Sequence, residues 1–252
     1  MSTDSSLGAR FADLEKDRYL LGRSSTAERV AAILRTRITA GQLPPGTRLA
    51  EEAIGEALSV SRNTLREAFR LLTHERLLVH ELNRGVFVRT LSKQDVVELY
   101  RVRRMIEIAA LHALIQGDPA ALERDRDRDP GGRELFGKVA EAVSDAEQAA
   151  KQDRWQDVGT ANLRFHRALV ELAGSPRIEE FMAQILAELR LVFHVMRDPR
   201  RFHEPYIARN REVLAALEGG DVLGAEELLE NYLDDAELQL VEAYAEVDRS
   251  KD

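Results

Sequence analysis

The sequence predicts a mainly α chain in two parts: three helices and a two-stranded hairpin come first, and an antiparallel helical bundle follows. Three observations predict it. Apolar residues recur at i, i+3, i+4 and i+7 through most of 26–74 and 92–247, the spacing that places a buried stripe on one helix face. The period turns to alternation only in "LLVHELNRGVFVRT" (77–90), where Asn83, Arg84 and Gly85 separate two β-prone runs. Charge divides at the same place: residues 24–90 carry 10 basic against 7 acidic side chains, net +3, whereas 91–252 carry 22 against 33, net −11.

In order along the chain, "TAERVAAILRTRI" sets Val30, Ile33, Leu34 and Ile38 on one face of a first helix that ends near Gly41. "GQLPPGTRL" breaks it, because two prolines and a glycine cannot continue a helix. A second short helix runs from about Ala50 to Leu58 with Ala53, Ile54, Ala57 and Leu58 inward, and "SVS" turns the chain into a third, from Arg62 to about His74. Ser61 is its N-cap, Leu65, Ala68, Phe69 and Leu72 form its packing stripe, and Arg62, Asn63, Arg66 and Arg70 lie on the other face. Cations at a helix N-terminus oppose the helix dipole, so stability alone does not explain them; a bound polyanion reverses the sign.

Two helices joined by a tight turn, the second presenting its first residues, form a helix-turn-helix, and the hairpin after it is a wing. Arg62 and Arg66 share a face from which they reach guanine edges or phosphates, Asn63 and Thr64 touch bases or backbone, and Gly85, beside Arg84, lets the wing tip approach a groove closely.

The stretch "LPPGTRLAEEAIGEALSVSRNTLREAFRLLTHERLLVHELNRGVFV" resembles the winged-helix domain of the GntR family of bacterial transcription regulators, including the proline-glycine entry, the "VSR..LREAF" helix and the arginine-glycine wing. The resemblance implies that Arg48, Arg62, Asn63, Thr64, Arg66 and Gly85 stand at double-stranded operator DNA.

From Ser92 the chain reads as six helices: 92–117 and, after the charged loop "GDPAALERDRDRDPGGR", about 133–152, 154–173, 176–197, 205–218 and 221–247. Pro176 starts one helix well and Gly219-Gly220 stops another. Four stripes have polar members: Val96, Leu99, Arg103, Ile106 and Ala110; Val158, Asn162, Phe165, His166 and Leu169; Ile207, Asn210, Leu214 and Leu217; Leu228, Leu229, Tyr232 and Ala236. Each polar residue has an ordinary reading alone, Arg103 for instance as the ion-pair partner of Glu107; together they suggest the lining of a polar cavity.

"ELYRVRRMIEIAAL" and "ANLRFHRALVELAGSPRI" resemble the all-α ligand-binding domain of the FadR-type subfamily, which commonly binds small organic acids. Many such domains hold a divalent metal through an aspartate or asparagine, a histidine four residues on and two later histidines. Here Asn162 and His166 match, but Asn210 and Tyr232 stand where the later histidines are expected, and Arg103 matches the arginine facing an effector's carboxylate. The expectation is a site of Arg103, Asn162, His166, Asn210 and Tyr232 that works without a tightly held metal; any metal would rest on Asn162 and His166. His194 and His203 could approach the same cavity without occupying a matched position.

The domain reading is an arm at 1–23, a DNA-binding domain at 24–90, an effector-binding and dimerisation domain at 91–247 and a tail at 248–252. The function expected is a ligand-responsive transcription regulator, a homodimer on near-palindromic operators with a carboxylate effector. Against a helical enzyme stand the absence of an E-x-x-H pair, of a phosphate-binding glycine loop and of a nucleophile with a base nearby. A DNA-binding structural protein without a ligand survives if the polar set is only a bonded core. With no cysteine, disulfides, zinc ribbons and thiol chemistry are excluded. No apolar run suits a membrane span or signal peptide, which points to the cytoplasm.

Overall fold

The computed structural model describes residues 25–116, 135–193, 196 and 198–249. The arm, the charged loop at 117–133 and His194 lie outside the described residues. The chain divides into two compact units, Met1–Arg89 and Thr90–Asp252.

In the first unit, α1 (Thr26–Thr39) is capped by Ser25 in a reciprocal box with Glu28. Then come β1 (Arg48–Leu49), α2 (Glu51–Leu58), α3 (Arg62–His74), β2 (Leu78–Glu81) and β3 (Gly85–Val88). The strands form an antiparallel sheet in the order β1-β3-β2, with Arg48 opposite Phe87 and Leu78 opposite Val88. The third strand, β1, is two residues long, too short to leave an alternating pattern. α3 packs against α1, α2 and β2 through Leu65, Ala68, Phe69 and Leu72, all buried. Inward assignments fail on two helices of this unit. Ile33 is exposed, because the buried stripe of α1 lies over Ala27, Val30, Ala31, Leu34 and Ile38, where two alanines sit among the larger side chains. On α2, Ala53 and Ala57 are exposed and Ile54 and Leu58 only half-buried, since this two-turn helix touches the rest of the unit along one narrow side.

The second unit contains α4 (Lys93–Gln116), α5 (Gly137–Lys151), α6 (Trp155–Glu171), α7 (Pro176–Val192), α8 (Pro199–Gly219) and α9 (Val222–Arg249). α6 packs against α4, α5, α7 and α8, which explains why nine of its residues are buried. α9 covers α4 and α8; Leu229, Tyr232 and Ala236 point inward there, whereas Leu228 is on the exposed rim. α8 begins at Pro199, capped by Asp198, and runs through Pro205 instead of starting beside it. A proline inside a helix strands the carbonyl four residues back; here that is Arg201 O, which accepts from Gln239 Nε2 at 3.3 Å. Gln239 is held in turn by the Tyr206 hydroxyl at 2.9 Å. That long-range partner is what local pattern could not show.

Candidate nucleic-acid interface and buried effector site

Ser61 caps α3 by accepting from Thr64 N at 3.1 Å, and its hydroxyl also bonds the Thr64 hydroxyl at 2.8 Å. Thr64 is therefore engaged in the cap, whereas Arg62, Asn63 and Arg66 are exposed on the first turns. Both arginines lean toward the first turn of α2: Arg66 Nε donates to Glu51 Oε2 at 3.0 Å, and Arg62 Nη2 lies 3.7 Å from Glu52 Oε1. Such exposed pairs are weak, so the arginines can exchange them for phosphates or bases. At the wing, Gly85 has φ +108°, a backbone conformation that favours glycine. A side chain there would meet Arg48 Nε at 3.5 Å, so Arg48 on β1 stands beside the wing tip although 37 residues separate the two in sequence. Arg84 pairs with Glu81 and covers the Phe87 ring. The seven residues expected at DNA thus form two groups, Arg62, Asn63, Thr64 and Arg66 on α3 and Arg48, Arg84 and Gly85 at the wing, in which Thr64 and Gly85 are half-buried and the other five exposed.

The second unit brings Arg103, Asn162, His166, Asn210 and Tyr232 together in its interior, each no more than 7% exposed. Their centre is Glu107, fully buried one turn beyond Arg103 on α4. It accepts from Arg103 Nε at 2.8 Å and from His166 Nδ1 at 2.7 Å. Burial pushes the Glu107 carboxyl up, but Arg103 and His166 outweigh it and hold the pKa below the ordinary value. An ionised carboxylate only accepts, so His166 carries its hydrogen on Nδ1 and turns a bare Nε2 lone pair elsewhere. Burial keeps that imidazole neutral, pulling its pKa below the ordinary 6.5 against the attraction of Glu107.

Across the cluster, Asn162 Oδ1 accepts both the Tyr232 hydroxyl and Asn210 Nδ2, each at 2.8 Å. Both lone pairs of that oxygen are spent. Burial pushes the Tyr232 phenol well above its ordinary pKa, so it remains a donor and not a phenolate. The His166 and Tyr232 rings meet edge-on at 5.0 Å, joining the two halves, and Tyr100 lies against the Arg103 guanidinium at 4.7 Å. Three atoms of the cluster have no hydrogen-bond partner among the described residues: Arg103 Nη2, His166 Nε2 and Asn210 Oδ1. Buried polar atoms left so are costly and uncommon.

Sequence reasoning took Glu107 only as a counter-ion and missed its hold on His166. The signal was its position four residues after Arg103, on the same face of one helix. His203, expected to approach the cavity at no matched ligand position, is buried. It lies two turns before Asn210 on α8, with a buried Nδ1 that is unpartnered among the described residues. Its ring occupies the space over Gly159, where an added Cβ would lie 2.7 Å from Nε2.

Residues 26–88 match the family described as bacterial regulatory proteins, gntR family, and residues 98–235 match the FCD domain, which alone covers more than half of the chain. The chain belongs to the GntR family. The GntR match spans all seven residues of the α3 and wing groups, and the FCD match spans the buried cluster. A solved structure described as a transcriptional regulator GntR from Rhodococcus sp. RHA1 is 46% identical, covers 88% of this chain and 100% of that one, and superposes with a TM-score of 0.77. The gluconate operon transcriptional repressor of Bacillus subtilis (strain 168) is 36% identical over 105 residues, 42% of this GntR chain and 43% of its own length. This chain therefore spans less than half the length of that relative. A probable D-xylose utilization operon transcriptional repressor of Paenarthrobacter nicotinovorans is 26% identical over 219 residues, 84% of this chain and 88% of its own. No described helix is long and apolar enough to cross a membrane.

Proposed function

We propose that this GntR-family chain is a ligand-responsive transcription regulator of the cytoplasm, and not an enzyme, binding operator DNA as a homodimer with its affinity set by a small carboxylate in the helical unit. The observation that carries it is the buried cluster with three unpartnered polar atoms, in a chain whose other unit displays Arg62, Asn63 and Arg66 on the opening of an exposed helix. A core that existed only to be stable would satisfy those atoms. In this reading Arg62 and Arg66 make base or phosphate contacts, Arg48, Arg84 and Gly85 serve the wing, and Arg103 meets the effector's carboxylate through a charge-assisted bond.

The same site works without a tightly held metal. Asn162 Oδ1 already accepts two hydrogen bonds, Tyr232 is held as a phenol, and the Glu107 carboxylate is engaged by both Arg103 and His166, so within the five-residue set His166 Nε2 and Asn210 Oδ1 are the acceptor atoms left without a partner among the described residues. Two such donors do not make the converging ligand set that tight transition-metal sites require. The test has two parts. Fluorescence anisotropy on a duplex selected from a random pool should give an affinity that changes when an organic acid is added. Elemental analysis of the tag-free protein should find no stoichiometric metal; near-stoichiometric zinc, nickel or manganese that disappears in His166→Ala overturns the metal-free site, and an affinity indifferent to every acid overturns the effector.

A further inference from the structure

The two arginines that open α3 are held differently by the carboxylates of α2. Arg62 Nη2 stands 3.7 Å from Glu52 Oε1, with side chains 74% and 78% exposed, a loose contact that DNA replaces at little cost. Arg66 is bonded through Nε to Glu51 Oε2 at 3.0 Å, and the Glu51 side chain is only 34% exposed. Glu51 is the first residue of α2, a helix with no side-chain cap, whose free N–H groups favour a carboxylate in the first turn. Both members of the pair also line a groove whose walls include the buried Phe69 and Val86. Arg66 therefore has a fixed partner, and Arg62 has not.

Which nitrogen is engaged decides what Arg66 can do. A guanidinium bonded at Nε keeps Nη1 and Nη2 for DNA, and those two groups form a fork that fits O6 and N7 of guanine. Arg66 does not have to give up Glu51 to reach a base. Holding Nε also fixes the plane of the guanidinium, so less side-chain freedom is lost when the base is met. Charge acts the other way on phosphates: the pair is neutral as a unit and adds little attraction to an arbitrary duplex, whereas a bare arginine releases a counterion wherever it lands. We propose that Glu51 is a positioning residue for base readout, which keeps its bond to Arg66 on the operator, aims the Nη fork at a guanine and withholds the arginine's charge from non-specific phosphates. This rests on the reading of Arg66 as a DNA contact of α3.

Fluorescence anisotropy of the full-length protein, over a range of salt, tests it on a selected operator, on single-base-pair variants of that operator and on an unrelated duplex. The variants compared are Glu51→Ala, Glu51→Gln and Arg66→Ala. The wild type should prefer G·C at one position of each half-site, and Arg66→Ala should erase that preference. Glu51→Ala should lower the preference at the same position by about tenfold. It should nevertheless bind the unrelated duplex more tightly, with a salt slope steeper by about 1 for each protomer bound. Glu51→Gln should share the steeper slope but keep most of the preference, because its amide oxygen still accepts from Arg66 Nε. Weaker binding of Glu51→Ala to every sequence alike, as a merely structural role or a misfolded variant would give, overturns the inference. So does an unchanged preference in Glu51→Ala where Arg66→Ala erases it, a result that leaves Arg66 standing as the reader. If Arg66→Ala alters no base-pair preference, the base contact itself is removed and this inference falls with it.

Discussion

Replacing Glu107 by glutamine tests the centre of the buried cluster. The amide is nearly isosteric, so no cavity opens, but the negative charge disappears. It leaves the Arg103 guanidinium 1% exposed with its counter-ion gone, and His166 Nδ1 facing an amide. Removing one member of a buried ion pair costs about 3–5 kcal/mol. Set against the roughly 5–15 kcal/mol that holds a domain together, that makes the bundle marginal. The double variant Arg103→Met/Glu107→Leu removes both charges and should be about 2 kcal/mol more stable than Glu107→Gln, its remaining deficit coming from the His166 nitrogen left unpaired. The chain has one tryptophan, Trp155 on α6, so fluorescence during urea unfolding reports the helical unit alone. A Glu107→Gln variant within about 1 kcal/mol of wild type, or a double variant as unstable as the single, would refute the reasoning that the pair is held by its charge.

His203 is held neutral by burial and by Arg190, its pKa pulled down to about 4 from 6.5. As pH falls below 6.5 the unfolded chain takes a proton that the native one refuses, so stability should drop progressively toward pH 4, by about 3 kcal/mol from this group; urea midpoints at pH 7 and 5 should show the fall, and His203→Phe should reduce it, leaving the part that the buried His166 contributes with the same sign. Gly159→Ala should destabilise the bundle by about 1–2 kcal/mol, because overpacking against His203, held edge-on between Phe193 and Phe202, exceeds the usual gain from a helical alanine. A higher melting temperature for that variant would contradict the packing. Arg62→Ala or Arg66→Ala should weaken operator binding by about 1–3 kcal/mol for a bidentate base contact and relax preference at one base pair, whereas a phosphate contact would weaken all sequences alike and lower the salt slope. A gel-shift titration that finds neither effect would mean α3 is not the reading helix.

Local chemistry was legible where one element decides it. Ser61, the Leu65 to Leu72 stripe, the Asn83-Arg84-Gly85 turn and the Pro176 helix start all act within a turn or two, and each appears in the structure. The polar residues of the cluster could also be picked out, because helical period places them inside whatever their partners are. Their partners could not. Glu107 reaches His166 across 59 positions, Asn162 reaches Tyr232 across 70, and the carbonyl stranded by Pro205 is answered by Gln239; each depends on how helices stack, which spacing within one helix does not encode. The same holds for Arg48, which pairing between β1 and β3 brings beside Gly85.

Coupling between the buried cluster and DNA is the claim with most at stake, and reciprocity makes it measurable. Anisotropy of a labelled, selected duplex gives the operator affinity with and without an organic acid that binds the protein, and calorimetry gives the acid's affinity with and without the operator. The two ratios should be equal and lie at about 5- to 150-fold in the same direction, the span of ordinary allosteric coupling. Ratios of one in both experiments, with the acid bound and the duplex bound, would contradict a regulator that senses through this cluster.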